Sequence, residues 1–120
     1  MNLKNITLKT AELGPVKWEE VEKLQPSNTG FICFISAEEY TREDENGDEQ
    51  TFLIGTYFET GFDHKPSYKE VINMIVTSEY PYGKENQMLR KGTYNPDDEE
   101  YLDYYYHVEE ITTEIKSLLK

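Results

Sequence analysis

Two histidines, each with an aspartate close by, are the residues of this chain best suited to chemistry. Asp63-His64 is a dipeptide, and Asp103 and His107 stand four apart, a spacing that puts both side chains on one face of a helix. Imidazole and carboxylate both ligate divalent metals, so the four brought together would make a metal site able to activate water. The same residues also describe a surface helix pair worth a few tenths of a kcal/mol beside a polar loop. A metal-dependent enzyme using the two His–Asp pairs is therefore one reading of the chain.

Other chemistry finds little support. Cys33 is the only cysteine and lies mid-run in Phe31-Ile32-Cys33-Phe34-Ile35, the setting of a buried, inert thiol. It excludes an intramolecular disulfide and a cysteine-built zinc site. Ser67 has a structural role at a helix start. Placing Gly47 at the sixth position of a calcium loop puts Arg42 first and Leu53 twelfth, where carboxylates are required, so that register fails. Gly55 and Gly61 are isolated and build no phosphate cradle. The residues point to a protein that is not an enzyme and needs no cofactor.

Charge carries more information. Residues 38–49 hold seven acids (Glu38, Glu39, Glu43, Asp44, Glu45, Asp48 and Glu49) against Arg42 alone. Residues 97–110 hold seven more (Asp97, Asp98, Glu99, Glu100, Asp103, Glu109 and Glu110) against none. The whole chain carries a net charge of −12, so these two blocks account for all of it. Such concentration suits a basic protein surface and repels nucleic acid and anionic membrane. We take Glu43, Asp44, Glu45, Asp48, Glu49, Asp97, Asp98, Glu99, Glu100 and Asp103 as the partner-binding residues.

A length of 120 residues suits one domain, and ten tyrosines with five phenylalanines supply enough large side chains for a core. The opening MNLKNITLKT lacks an apolar signal core, and no apolar run approaches the ~20 residues of a membrane helix. The expectation is a protein of the host-cell cytoplasm or of a virion, not one secreted through a signal peptide.

The elements that must position these groups are readable in outline. Leu3, Ile6 and Leu8 suggest a short strand, and Pro15 opens a short helix through Trp18, Val21 and Leu24. Residues 25–30 form a turn-rich connector. Gly30–Tyr40 and Thr51–Thr60 are the clearest strands. Asn46-Gly47 between them predicts a two-residue hairpin turn, which sets Tyr40 opposite Leu53 and Ile35 opposite Phe58. Ser67 and Glu70 form a capping box ahead of Val71, Ile72, Ile75 and Val76, and Pro81 ends that helix. A short helix through Met88 and Leu89 ends at Gly92. Asn95 as N-cap and Pro96 as first residue open the last helix. Tyr101, Tyr104, Val108, Ile111, Ile115 and Leu118 form its apolar seam, widened by Leu102, Tyr105 and Leu119, as in a helix packed on a sheet. Tyr105 or Tyr106 falls at a rim where the hydroxyl stays wet. The predicted fold is α+β: an antiparallel hairpin or small three-stranded sheet with helices, in a single domain over 1–120 with an acidic hairpin at 30–60 and a helical half at 67–119.

The stretch from Ser67 to Leu119 resembles small proteins encoded in phage and prophage clusters of gut anaerobes. The matching residues are Tyr68, Ile72, Ile75 and Tyr80, then Leu89-Arg90-Lys91, then Pro96 to Tyr101, Tyr105, Val108 and Glu109. The resemblance covers a little under half the chain and implies a non-enzymatic accessory or structural protein. It carries over no functional residues.

The leading expectation is thus a small acidic protein-interaction module with a basic protein partner. The alternatives are an acidic nucleic-acid mimic that blocks a DNA- or RNA-binding protein, and the metal-dependent enzyme.

Overall fold

Strand-forming residues on either side of Asn46-Gly47 do make the longest hairpin of the protein. The computed structural model describes the whole chain, Met1–Lys120. Its architecture is α+β, with a four-stranded antiparallel sheet and three helices, the last one long. The chain divides into two compact units, one formed by Thr7–Lys65 and the other by Pro66–Lys120 together with Met1–Ile6.

The first unit holds β1 (Lys9–Gly14), β2 (Leu24–Ser27), β3 (Gly30–Glu43) and β4 (Glu49–Glu59), in the order β1-β4-β3-β2. The sheet is larger than the two or three strands expected. Residues 24–27, expected at a helix end and in a connector, pair with Gly30–Cys33 across the two-residue turn Asn28-Thr29. Only one helical turn forms after Pro15, at Trp18–Glu20, because Val21 is extended. Lys23 stabilises that break: its ammonium donates to the carbonyls of Trp18 and Val21, each at 2.7 Å, and lies 4.2 Å from the Trp18 ring centre.

The β3–β4 register differs from the prediction by one residue near the turn. Tyr40 faces Phe52, and Cys33 faces Phe58. Two local features cause this. Asp44 and Asp48 close the loop by a backbone hydrogen bond with three residues between them, and Gly47 takes the left-handed φ of +81° that such a loop needs. The Asp44 carboxylate then accepts from the amides of Asn46 and Asp48, both at 2.9 Å. Further along, a bulge at Ile35 shifts the ladder once more. A one-residue slip exchanges the two faces of a strand, so Tyr40 stacks on Phe52 with ring centres 5.5 Å apart. Beside the bulge, the Phe34 ring rests on the backbone of Gly55 and meets Tyr57 at 5.2 Å.

The second unit holds α1 (Tyr68–Glu79), α2 (Lys84–Tyr94) and α3 (Glu99–Leu119), with α3 packed on α1 and α2. Its buried side chains are Val71, Ile75 and Val76 of α1, Met88 of α2, and Tyr104, Ile111 and Ile115 of α3. Full burial of each large one contributes about 1.5–3 kcal/mol. The capping box forms as predicted: Ser67 Oγ accepts from the Glu70 amide at 3.2 Å, and the Glu70 carboxylate accepts from the Ser67 amide at 3.1 Å.

Three boundaries move. Gly92 lies inside α2 and does not end it; a Cβ there would sit 2.4 Å from the Tyr101 ring, so glycine permits the close approach of α3. Asn95 holds a turn through the amide of Asp97, and Asp98 is the N-cap of α3, accepting from the Tyr101 amide at 3.0 Å. The segment Met1–Ile6 is not a strand. Its backbone partners are side chains: the Glu79 carboxylate accepts from the amides of Lys4 and Asn5, each at 2.7 Å.

Candidate protein-interaction surface

The acidic residues separate into those with structural work and those left facing solvent. Asp44 shapes the hairpin loop, Asp98 caps α3, and Glu100 pairs with Lys91 at 2.8 Å. Glu43, Glu45, Asp48 and Glu49 are exposed on the hairpin tip, where Glu43 and Glu49 stand directly opposite each other in the ladder. Glu99, Asp103 and Glu109 are exposed on α3, and Asp97 in the turn before it. Of the ten acids predicted to bind a partner, three are therefore committed within the fold. Arg42, the one cation of the hairpin block, lies over the Phe52 ring at 4.1 Å and 3.6 Å from Glu12.

Helix α3 has two apolar faces. Tyr104, Ile111 and Ile115 point inward. Leu102, Tyr105, Tyr106 and Glu109 recur at i, i+3, i+4 and i+7 on another side of the cylinder, so they form a second ridge. Tyr105 is 45% exposed and Tyr106 64%, with ring centres 5.5 Å apart. Widening of the core seam does not explain Tyr105. Leu102 is half-buried. Sequence periodicity did not separate the two faces, since the ridge lies within a turn of the seam and uses the same residue types.

A shallow groove of about 350 Å³ runs beside this ridge. Asp103, Tyr106 and Glu110 of α3 line it together with Tyr80, and Asn2 and Lys4 stand in its wall. His107 lines it as well. Its Nε2 lies 2.8 Å from the Asn2 carbonyl oxygen, which can only accept, so Nε2 carries the proton in the neutral ring. Its Nδ1 then accepts from the Tyr80 hydroxyl at 2.9 Å. Burial, with the Glu79 and Asp103 carboxylates near it, raises the Tyr80 phenol above its usual value and keeps it a donor. Glu110 and Glu114 hold the Met1 ammonium at 3.2 and 3.1 Å, and their carboxylates raise its pKa.

The metal-site residues are placed differently from the prediction. Both nitrogens of His107 are committed to Tyr80 and Asn2, and neither offers a lone pair to a metal. His64 pairs with Asp63 at 3.3 Å on the surface of the sheet unit. No three histidine, cysteine, aspartate or glutamate side chains converge into a set that could hold a metal ion. The Cys33 thiol is fully buried, and desolvation pushes its pKa up to about 12.

The sheet unit carries a second, larger groove of about 640 Å³. Leu13, Val21, Leu24 and Phe31 supply apolar lining, and Glu20, Glu22 and Lys65 its charge. No helix of the protein is long and apolar enough to cross a membrane.

Comparison with protein families, with curated proteins and with solved structures finds no match to this chain.

Proposed function

We propose that this protein is a non-enzymatic, acidic protein-interaction module whose partner carries a basic surface. The observation that carries the reading is the ridge of α3, where two solvent-exposed tyrosines stand among the exposed carboxylates of Glu99, Asp103 and Glu109. Tyrosine supplies large, rigid contact area at low entropic cost, and it is enriched where proteins meet. Carboxylates around it select a cationic partner and speed its encounter. The hairpin tip offers a second acidic surface for the same kind of partner.

Catalysis is not part of this proposal. The two histidines are engaged by neighbours, Ser67 is spent in a cap, and a thiol with a pKa of about 12 is no nucleophile at neutral pH. The resemblance of residues 67–119 to phage and prophage proteins suggests an accessory or structural part of a virion or mobile element as the biological setting.

Pull-down on the immobilised protein at low and high ionic strength tests the proposal. The expected result is capture of a basic protein that weakens, but persists, as salt rises, because apolar contact is not screened. A nucleic-acid mimic would release its partner entirely in salt and lose it to competing duplex DNA. Retention of the same protein by a variant with Glu99, Asp103 and Glu109 changed to glutamine or asparagine would refute a role for the acidic ridge.

A further inference from the structure

We propose that the groove beside the α3 ridge receives an arginine side chain of the partner, with Asp103 and Tyr106 as its receptor. This rests on the reading of the protein as a module for basic partners and names the contact it makes. Asp103, Tyr106 and Glu110 follow one another at i, i+3 and i+7, so a carboxylate, an aromatic face and a second carboxylate line one side of the groove. That sequence of groups matches a guanidinium. Its plane stacks on the ring of Tyr106 while its edge donates to a carboxylate, which the compact ammonium of lysine cannot do in one pose.

Availability singles out Asp103. Glu110 is already 3.2 Å from the Met1 ammonium, so its charge is partly met within the fold. The groove holds about 350 Å³, room for one long side chain and too little for a folded element. Apolar contact continues outward over Leu102 and Tyr105, so the fitting segment is amphipathic, with an aliphatic residue close to the arginine. Lys4 also lines the groove and opposes any cation there, so the attraction rests on Asp103 and is enough for a single guanidinium. The site thus takes one arginine, and a polybasic run gains nothing extra from it.

The test measures affinity for a short labelled peptide of alternating leucine and arginine, and for its lysine counterpart, at low ionic strength. The arginine peptide is expected to bind more tightly. Tyr106→Ser and Asp103→Asn, both at exposed positions, should each weaken it by about two- to five-fold and remove the preference over lysine, the size of an exposed cation–π contact. A hairpin variant combining Glu43→Gln, Glu45→Gln, Asp48→Asn and Glu49→Gln should keep that preference. Amide shifts on peptide addition should centre on Asp103, Tyr106 and Asn2. Equal affinity for the two peptides, or shifts confined to the hairpin, overturns the arginine site while leaving a basic-partner module standing. Absence of binding by either peptide overturns both.

Discussion

Replacing Gly55 by alanine should destabilise the sheet unit, although alanine is ordinarily the better strand residue by about 0.5–1 kcal/mol. An added Cβ would sit 2.7 Å from Leu13 Cδ1, 2.7 Å from Phe34 Cδ1 and 2.8 Å from Phe34 Cε1. All three distances are well inside carbon–carbon contact at 3.5–4.0 Å. Leu13 is half-buried and can rotate away, but Phe34 is only 2% exposed and is packed on Tyr57. Overpacking a close-fitted core costs about 1–3 kcal/mol, so the clash outweighs the propensity gain by roughly 0.5–2 kcal/mol. At about 4 °C per kcal/mol for a chain of this size, the midpoint should fall by about 2–8 °C. Thermal and urea denaturation followed by circular dichroism reads the change. A double-mutant cycle isolates its cause: in a Phe34→Ala background, itself costing about 3–5 kcal/mol, Gly55→Ala should cost nothing or gain stability. A neutral or stabilising Gly55→Ala in the native background, or an unchanged cost when Phe34 is removed, would refute the account of a ring seated on a glycine.

Four further outcomes are expected. Ser67→Ala should lower stability by about 1 kcal/mol through loss of one half of the capping box, and Ser67→Asp should recover most of it; equal melting of Ser67→Ala and wild type would contradict the cap. Asp44→Ala removes the acceptor of two loop amides, so hydrogen exchange at Asn46 and Asp48 should quicken while amides in α1 stay protected. Cys33 should resist thiol reagents at neutral pH, since a pKa of about 12 against 9.0 lowers the thiolate fraction by about a thousandfold, and labelling should follow the global unfolding rate. Tyr104 should ionise late in an ultraviolet titration, because burial first and the Glu85 carboxylate second push its pKa from 10.0 up to about 12. The unfolded chain releases that proton at the lower value. The stabilisation from Tyr104 is therefore complete below about pH 10 and is lost between pH 10 and 12; a tyrosine titration with no late component would contradict it.

Local grammar was legible where side chains act on their own backbone. Ser67 and Glu70 announce a helix start because both partners of the cap lie within four residues. The β3–β4 hairpin and the seam of α3 follow from periodicity over long runs, and the α+β class follows from them. The failures share a cause. Leu24–Ser27 reads as a helix end and connector, yet it is strand β2 because Gly30–Cys33 offers it a ladder. Gly92 reads as a helix terminator, yet it is a contact surface for a ring nine residues further on. Leu3, Ile6 and Leu8 read as a strand, yet the strand begins only at Lys9, and the amides of Lys4 and Asn5 are taken by Glu79, some seventy-five residues away in the chain. Each error arises where a backbone group or a Cα finds its partner on another element, which the pattern within its own segment does not encode.

The candidate surface divides in the same way. The residue order alone places two dense blocks of negative charge on this chain and denies it an internal disulfide, because charge and cysteine number do not depend on folding. Tertiary structure decides which of those charges are spent. It assigns Asp44, Asp98 and Glu100 to loops, caps and pairs, and leaves Asp103 beside an exposed Tyr106. It also turns His107 from a possible ligand into a ring held by Tyr80 and Asn2. Whether a polar group is available depends on the atoms within hydrogen-bond reach of it. Those neighbours are set by how helices and strands pack, not by the order of residues along the chain.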